Sequence, residues 1–162
     1  MGTGKSSVGR LVADQLQFTF VDTDELIEER AGKSISKIFE QDGEMAFREY
    51  ERLVVDELRT LKRAIISTGG GLGAKEENLA SLKQHALVVC LWASPQIIWR
   101  RVRTQTHRPL LQGDDPKAKI RELLTAREPF YRQADVLVNT EVRSAKEVAQ
   151  HVLHEFQLAR QR

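Results

Sequence analysis

The chain opens on Gly2-Thr3-Gly4-Lys5-Ser6-Ser7, where small residues lead into a lysine and two hydroxyls. Each part suits a polyphosphate. Small residues let successive backbone N–H groups converge on phosphate oxygens, and Lys5 adds a mobile cation. Ser6 Oγ is a ligand for Mg²⁺, and a helix starting there aims its positive end at the anion. Gly4-Lys5-Ser6 is the closing part of the phosphate-loop pattern G-x-x-x-x-G-K-[ST]. The pattern's first glycine would lie two residues ahead of Met1. Taken alone, the segment competes with an ordinary Gly-rich N-terminus.

Three further constellations carry chemistry. Asp22 and Asp24 sit two apart at the end of a β-rich run, so strand periodicity sends both carboxylates to one side at the carboxyl edge. In a phosphoryl-transfer site one such carboxylate helps hold Mg²⁺ and another accepts a hydroxyl proton; the plainer reading of Asp24 is a helix N-cap. Arg48 and Glu51 lie three apart, so Glu51 can orient a guanidinium suited to a carboxylate. The competing reading is a solvated surface ion pair that contributes little. Gly69-Gly70-Gly71 follows a strand, and three glycines in a row suit a ligand that approaches the main chain closely.

The elements that must position these groups alternate. Helices are predicted over 7–17, from Asp24 to Gly32, from Ser34 to Asp42, over 44–62, around 79–82, over 95–104, over 117–127 and from Ser144 onward. Ser144 with Glu147 forms a capping box. Strands are predicted at 18–21, 64–67, 86–93 and 136–138. Apolar strands alternating with helices argue for one doubly wound parallel sheet covered on both faces. No repeat, low-complexity tract or linker interrupts it.

Composition narrows the classes. At 162 residues and 41% hydrophobic content the chain is expected to form a single domain with a substantial core. The net charge of +2, with no blunt basic cluster, argues against nucleic acid as a partner. The longest apolar run, 86–93, is far short of a bilayer span, so no membrane partner is expected. A single cysteine, Cys90, excludes an internal disulfide framework and suits a reducing compartment, and no leader precedes the first motif. The expected location is cytoplasmic.

In order, M-G-T-G-K-S-S, F-V-D-T-D, G-E-M-A-F-R-E-Y-E, S-T-G-G-G, H-R-P-L-L and A-R-E-P-F-Y resemble the shikimate kinase family from Met1 to about Tyr131. The resemblance implies a three-layer P-loop fold like that of nucleoside monophosphate kinases. It implies transfer of phosphate from ATP to the 3-hydroxyl of shikimate, on the route to chorismate and the aromatic amino acids, by an enzyme expected to be monomeric. Gly2, Thr3, Gly4, Lys5, Ser6 and Ser7 would hold ATP phosphates, with Mg²⁺ on Ser6 and Asp22 assisting. Asp24, Arg48, Gly70 and Arg127 would contact shikimate beside Gly69 and Gly71. Arg48 and Arg127 would grip its carboxylate, and Asp24 would bind ring hydroxyls and act as base. Arg108 belongs to a lid segment around 105–118 and joins Lys5 in stabilising the transferring group. Arg101 occupies the position beside adenine, with Arg103 a rival. The 139–144 segment resembles the adenine-flanking loop without its frequent proline.

Some residues read as plain. His151 and His154 fall on a surface helix face without a third ligand, Cys90 on a buried strand, and Trp92 and Trp99 as packing. Where the family places a central strand before the phosphate loop, this sequence has none. Five buried aliphatic residues amount to about 8–15 kcal/mol, as much as a domain's net stability of about 5–15 kcal/mol. The expectation is therefore that Met1 is internal to a longer natural chain. Two other readings stand beside the first: a gluconate-kinase-like enzyme, which needs no paired arginines in this arrangement, and a catalytically dead nucleotide-binding relic.

Overall fold

A computed structural model describes residues 2–104 and 115–161. The chain divides into two compact units, Gly9–Ala86 and Met1–Val8 together with Leu87–Arg162.

In the Gly9–Ala86 unit, β1 (Thr19–Asp22) leads into α2 (Thr23–Ala31), α3 (Ile35–Gln41) and α4 (Gly43–Leu58), then β2 (Ala64–Ser67) and α5 (Glu76–Lys83); α1 spans Lys5–Leu16. β1 and β2 pair in parallel, Thr19 opposite Ala64 and Asp22 opposite Ser67. A parallel pair needs a long crossover, and the three helices between the strands supply it. Their boundaries are local chemistry. Asp22 caps α2, Gly32 ends it in the left-handed region at φ 64°, and the Ser34 side chain caps α3. Ile27, Ile38, Val54 and Leu58 are all at most 1% exposed, so α2, α3 and α4 bury one shared apolar face. Phe39 and Phe47 stack at 4.8 Å between ring centroids.

In the other unit, β3 (Val89–Trp92) and β4 (Val136–Asn139) pair in parallel, Val89 opposite Val136 and Trp92 opposite Asn139. Between them lie α6 (Pro95–Val102) and α7 (Pro116–Tyr131), and α8 (Ala145–Arg160) follows. Pro95 and Pro116 open their helices, where a missing N–H costs nothing. Ala93, Ile98, Val102 and Ile120 form a buried cluster against which Ile97, Trp99 and Leu124 pack. The capping box is present: Glu147 N–H donates to Ser144 Oγ at 3.3 Å, and Ser144 N–H donates to Glu147 Oε2 at 2.7 Å.

The expected α/β architecture with parallel pairing is found, but not as the one sheet expected: among the described residues the strands form two separate two-stranded sheets, β1–β2 and β3–β4. Four details differ from expectation. Helix α7 runs through Pro129 to Tyr131, and α5 is a full eight residues beginning at Glu76. The strand predicted over 86–93 pairs only at Val89–Trp92. Trp92 is 44% exposed, so it is not core packing; it ends an edge of its ladder. No helix among the described residues is long and apolar enough to cross a membrane.

Candidate active site

The phosphate-loop residues adopt the backbone the motif demands. Gly2 and Gly4 have φ of 65° and 89°, the left-handed region that side chains disfavour. Space excludes a side chain at Gly2 as well, since a Cβ there would lie 2.7 Å from Val102 Cγ1. Helix α1 begins at Lys5, with Val8 N–H donating to Gly4 O at 2.9 Å, and its first turn carries no acidic residue. Gly2, Thr3, Gly4, Lys5, Ser6, Ser7 and Val8 line a cleft of about 500 Å³ with Arg101, Thr140, Arg143, Ala145 and Val148. The N–H groups of a helix's first turn, one lysine and two arginines make this cleft fit a polyphosphate, and Ser6 Oγ supplies an oxygen of the kind Mg²⁺ takes.

Arg101 ties this cleft together. Its guanidinium donates to Gly2 O at 3.4 Å, to Thr140 Oγ1 at 2.9 Å and to the Thr140 carbonyl. Thr140 is in turn held by Trp92 O, through its N–H at 3.0 Å and its hydroxyl at 3.2 Å. The next residue is fixed too. Ser94 N–H donates to Glu141 Oε1 at 2.6 Å, and hydrogen bonding from the Ser94 side chain, then from this N–H, holds the Glu141 carboxyl below its usual range. Arg103 is exposed and is not among the cleft-lining residues, whereas Arg101 lines the cleft. Thr140 and Arg143 fall in the 139–144 segment that resembles the adenine-flanking loop, and both line the cleft, although neither was singled out individually from sequence.

Asp22 and Asp24 are not related by strand periodicity. β1 ends at Asp22, and Asp24 lies in the first turn of α2. The helix cap is Asp22, whose Oδ1 accepts the Asp24 N–H at 3.1 Å. Helix onset at Thr23 overrides the period of two, because the Asp22 side chain satisfies one of the unpaired N–H groups there. Asp24 instead faces the glycine run, with its Oδ1 2.5 Å from where a Gly69 Cβ would stand. Gly69 N–H donates to Thr23 Oγ1 at 2.9 Å, so the residue between the two aspartates anchors the glycines. None of Gly69, Gly70 and Gly71 has positive φ; they form the turn into a short 3-10 helix, Leu72–Ala74. At Gly69 the absent side chain therefore serves close approach, not left-handed backbone.

Arg48 on α4 is a built site rather than a solvated surface pair. Nη1 donates to Glu51 Oε2 at 2.8 Å, and the Glu51 side chain is 3% exposed. Lys75 Nζ lies 3.9 Å from the same Glu51 oxygen. Nε and Nη2 donate to Glu44 Oε1 at 3.1 and 2.7 Å. Burial pulls the Arg48 guanidinium down, but its bonds to Glu51 and Glu44 outweigh that and leave it raised, so it is a permanent cation. Neither Glu44 nor Lys75 was singled out from sequence, although the spacing of four between Glu44 and Arg48 was a readable signal.

Arg127 lies on α7, one turn before Tyr131. Burial raises the Tyr131 phenol, and Arg127 opposes that rise. Burial likewise raises the Cys90 thiol, with Lys5 opposing, although Cys90 is half-buried where full burial was expected. His151 Nε2 approaches Glu155 at 3.7 Å on the α8 surface, and no cluster of three metal-ligating side chains occurs among the described residues. His107, Arg108, Pro109 and the lid stretch 105–114 lie outside the described residues.

Comparison with known proteins bears directly on this geometry. A curated shikimate kinase of Thermodesulfovibrio yellowstonii is 44% identical over 157 residues, covering 97% of this chain and 91% of that protein. The solved structure of the Acinetobacter baumannii shikimate kinase in complex with shikimate superposes with a TM-score of 0.93 at 38% identity, covering 98% of this chain and 89% of that one. A gluconokinase from Sinorhizobium meliloti matches at a TM-score of 0.62 and only 17% identity, covering 95% and 85%, which speaks to the fold alone. The family model for shikimate kinase matches residues 1–157, and so the chain that carries these loops and carboxylates belongs to the shikimate kinase family.

Proposed function

We propose that this protein transfers the γ-phosphoryl group of ATP to the 3-hydroxyl of shikimate, releasing ADP and shikimate 3-phosphate. The observation that supports it most is the family match over 157 residues, together with a shikimate-bound relative of nearly the same backbone. The gluconate-kinase reading has only a fold likeness behind it.

Each side chain has a role in that reaction. Backbone N–H groups from Gly2 to Ser7, with Lys5, bind the phosphates of ATP, and Arg101 borders the base. Ser6 Oγ would hold Mg²⁺, with Asp22 assisting on the strength of its motif, and the chemistry such an ion would supply is neutralisation of phosphate charge. The Arg48 fork and Arg127 bind the shikimate carboxylate, and the backbone of Gly69, Gly70 and Gly71 meets the ring. Asp24 accepts the proton of the 3-hydroxyl as that oxygen bonds to the γ-phosphorus and the bridging bond to ADP breaks. Arg108, by its motif, adds positive charge to the transferring group. Little covalent work falls to the protein, so the rate depends on positioning and on fixed charge.

An ADP-release assay with shikimate and with gluconate tests the reading. Turnover with shikimate alone is expected. Turnover with gluconate alone would replace the substrate, and nucleotide binding without turnover of either would make the protein a non-catalytic nucleotide binder.

A further inference from the structure

Arg48 holds two carboxylates that differ in kind. Glu51 is 3% exposed and backed by Lys75, so it is a fixed orienting partner on Nη1. Glu44 is 65% exposed, and a single oxygen of it takes both Nε and Nη2. That edge, with two parallel donors, is the one a carboxylate uses for bidentate binding. The Phe47 ring stands 5.4 Å from the guanidinium carbon, and Phe47 is itself buried against Phe39. We propose that Glu44 is an internal stand-in for the substrate carboxylate: it occupies the Nε–Nη2 edge of Arg48 and must leave for the acid to bind there. This rests on the reading of Arg48 as a carboxylate-binding group.

The chemistry of displacement is favourable. Exposed ion pairs at a spacing of four are weak, so an acid held by further contacts can take the edge. Arg48 lowers the Glu44 carboxyl below its usual range, and Lys75 adds to that pull, so Glu44 stays anionic at neutral pH and competes as a charge. Lys75 also offers the displaced carboxylate a second cation. Until it is displaced, Glu44 keeps the guanidinium tethered through Nε and Nη2. The consequence is selectivity: a neutral molecule gains nothing by displacing Glu44, whereas an acid restores the bonds that Arg48 gives up.

The test is steady-state kinetics of Glu44→Gln and Glu44→Ala with shikimate, with the neutral shikimate methyl ester as competitive inhibitor and Arg48→Lys as reference. The expected result is a KM for shikimate lowered about two- to fivefold in both Glu44 variants, the range an exposed ion pair supports. The gain in kcat/KM should be carried by KM, and the inhibition constant of the ester should move less than 1.5-fold (an expectation set by the ester's lack of charge). A KM unchanged or raised in both variants, or an equal gain for the ester, overturns the proposal and leaves Glu44 a support for Arg48. Wild-type protein that does not turn over shikimate sinks the functional reading and this proposal with it. Arg48→Lys with an unaltered KM removes Arg48 from the carboxylate site alone, and this proposal falls while the reaction stands.

Discussion

Replacing Gly69 by alanine probes the contact on which the proposed proton transfer depends. The added Cβ would stand 2.5 Å from Asp24 Oδ1, where ordinary contact begins near 3.4 Å. Gly69 does not have positive φ, so alanine is tolerated by its own backbone and the clash is the whole perturbation. It can be relieved in two ways. The Asp24 carboxylate can retreat by about 0.9 Å, and misplacement of about 1 Å costs on the order of 100-fold in rate, about 2.7 kcal/mol of barrier. Alternatively the glycine backbone shifts and loosens the Gly69 N–H bond to Thr23 Oγ1, about 1 kcal/mol of stability. Initial rates of ADP release at saturating ATP and shikimate report the first route, and a thermal melt reports the second. The expected outcome is a kcat lowered about 100-fold with a melting temperature lowered by no more than a few degrees. In an Asp24→Asn background, already without its base, the same alanine should cost less than about tenfold more, because the two changes act on one group. A Gly69→Ala enzyme with kcat within about threefold of wild type and an unaltered melt would refute the placement of Asp24 as base.

Arg101→Ala should raise KM for ATP by about tenfold, since it frees Gly2 and the Thr140 loop together; Arg101→Lys should recover little, because one ammonium cannot reproduce a planar fork. KM for shikimate measured alongside should stay within about twofold of wild type. Ser144→Ala removes an observed N-cap bond and should lower stability by about 1 kcal/mol, roughly 2–4 °C in a melt for a chain this long, with kcat unchanged. The carboxyls of Glu44, Glu49, Glu141 and Glu147 are all held below the ordinary range of a glutamate. A depressed native value stabilises the fold above the unfolded value and is lost as pH falls through the native one. Melting temperature should therefore be flat from about pH 6 to 8 and decline only below about pH 4.5, and a decline beginning near pH 6 would contradict these four carboxyls as its source.

Sequence alone settled what chemistry the chain holds and most of its local structure. The helix caps at Ser34 and Ser144, the stop at Gly32 and the strand-to-helix alternation are decided by neighbours three or four residues apart, so they are readable in one dimension. The phosphate loop and the Arg48–Glu51 pair are local in the same sense. Even there, two adjacent rules competed at Asp22–Asp24, and helix capping prevailed over strand period. Tertiary structure decided everything that depends on groups far apart in sequence. It set Asp24 against Gly69, gave the Gly69 N–H to Thr23, and tied Arg101 to Gly2, 99 positions away. It also sorted the two carboxylates of Arg48, burying Glu51 beside Lys75 and leaving Glu44 in solvent. Periodicity names the face a residue shares with its near neighbours. Which distant backbone comes to meet that face, and how much water remains there, is fixed only when the elements pack.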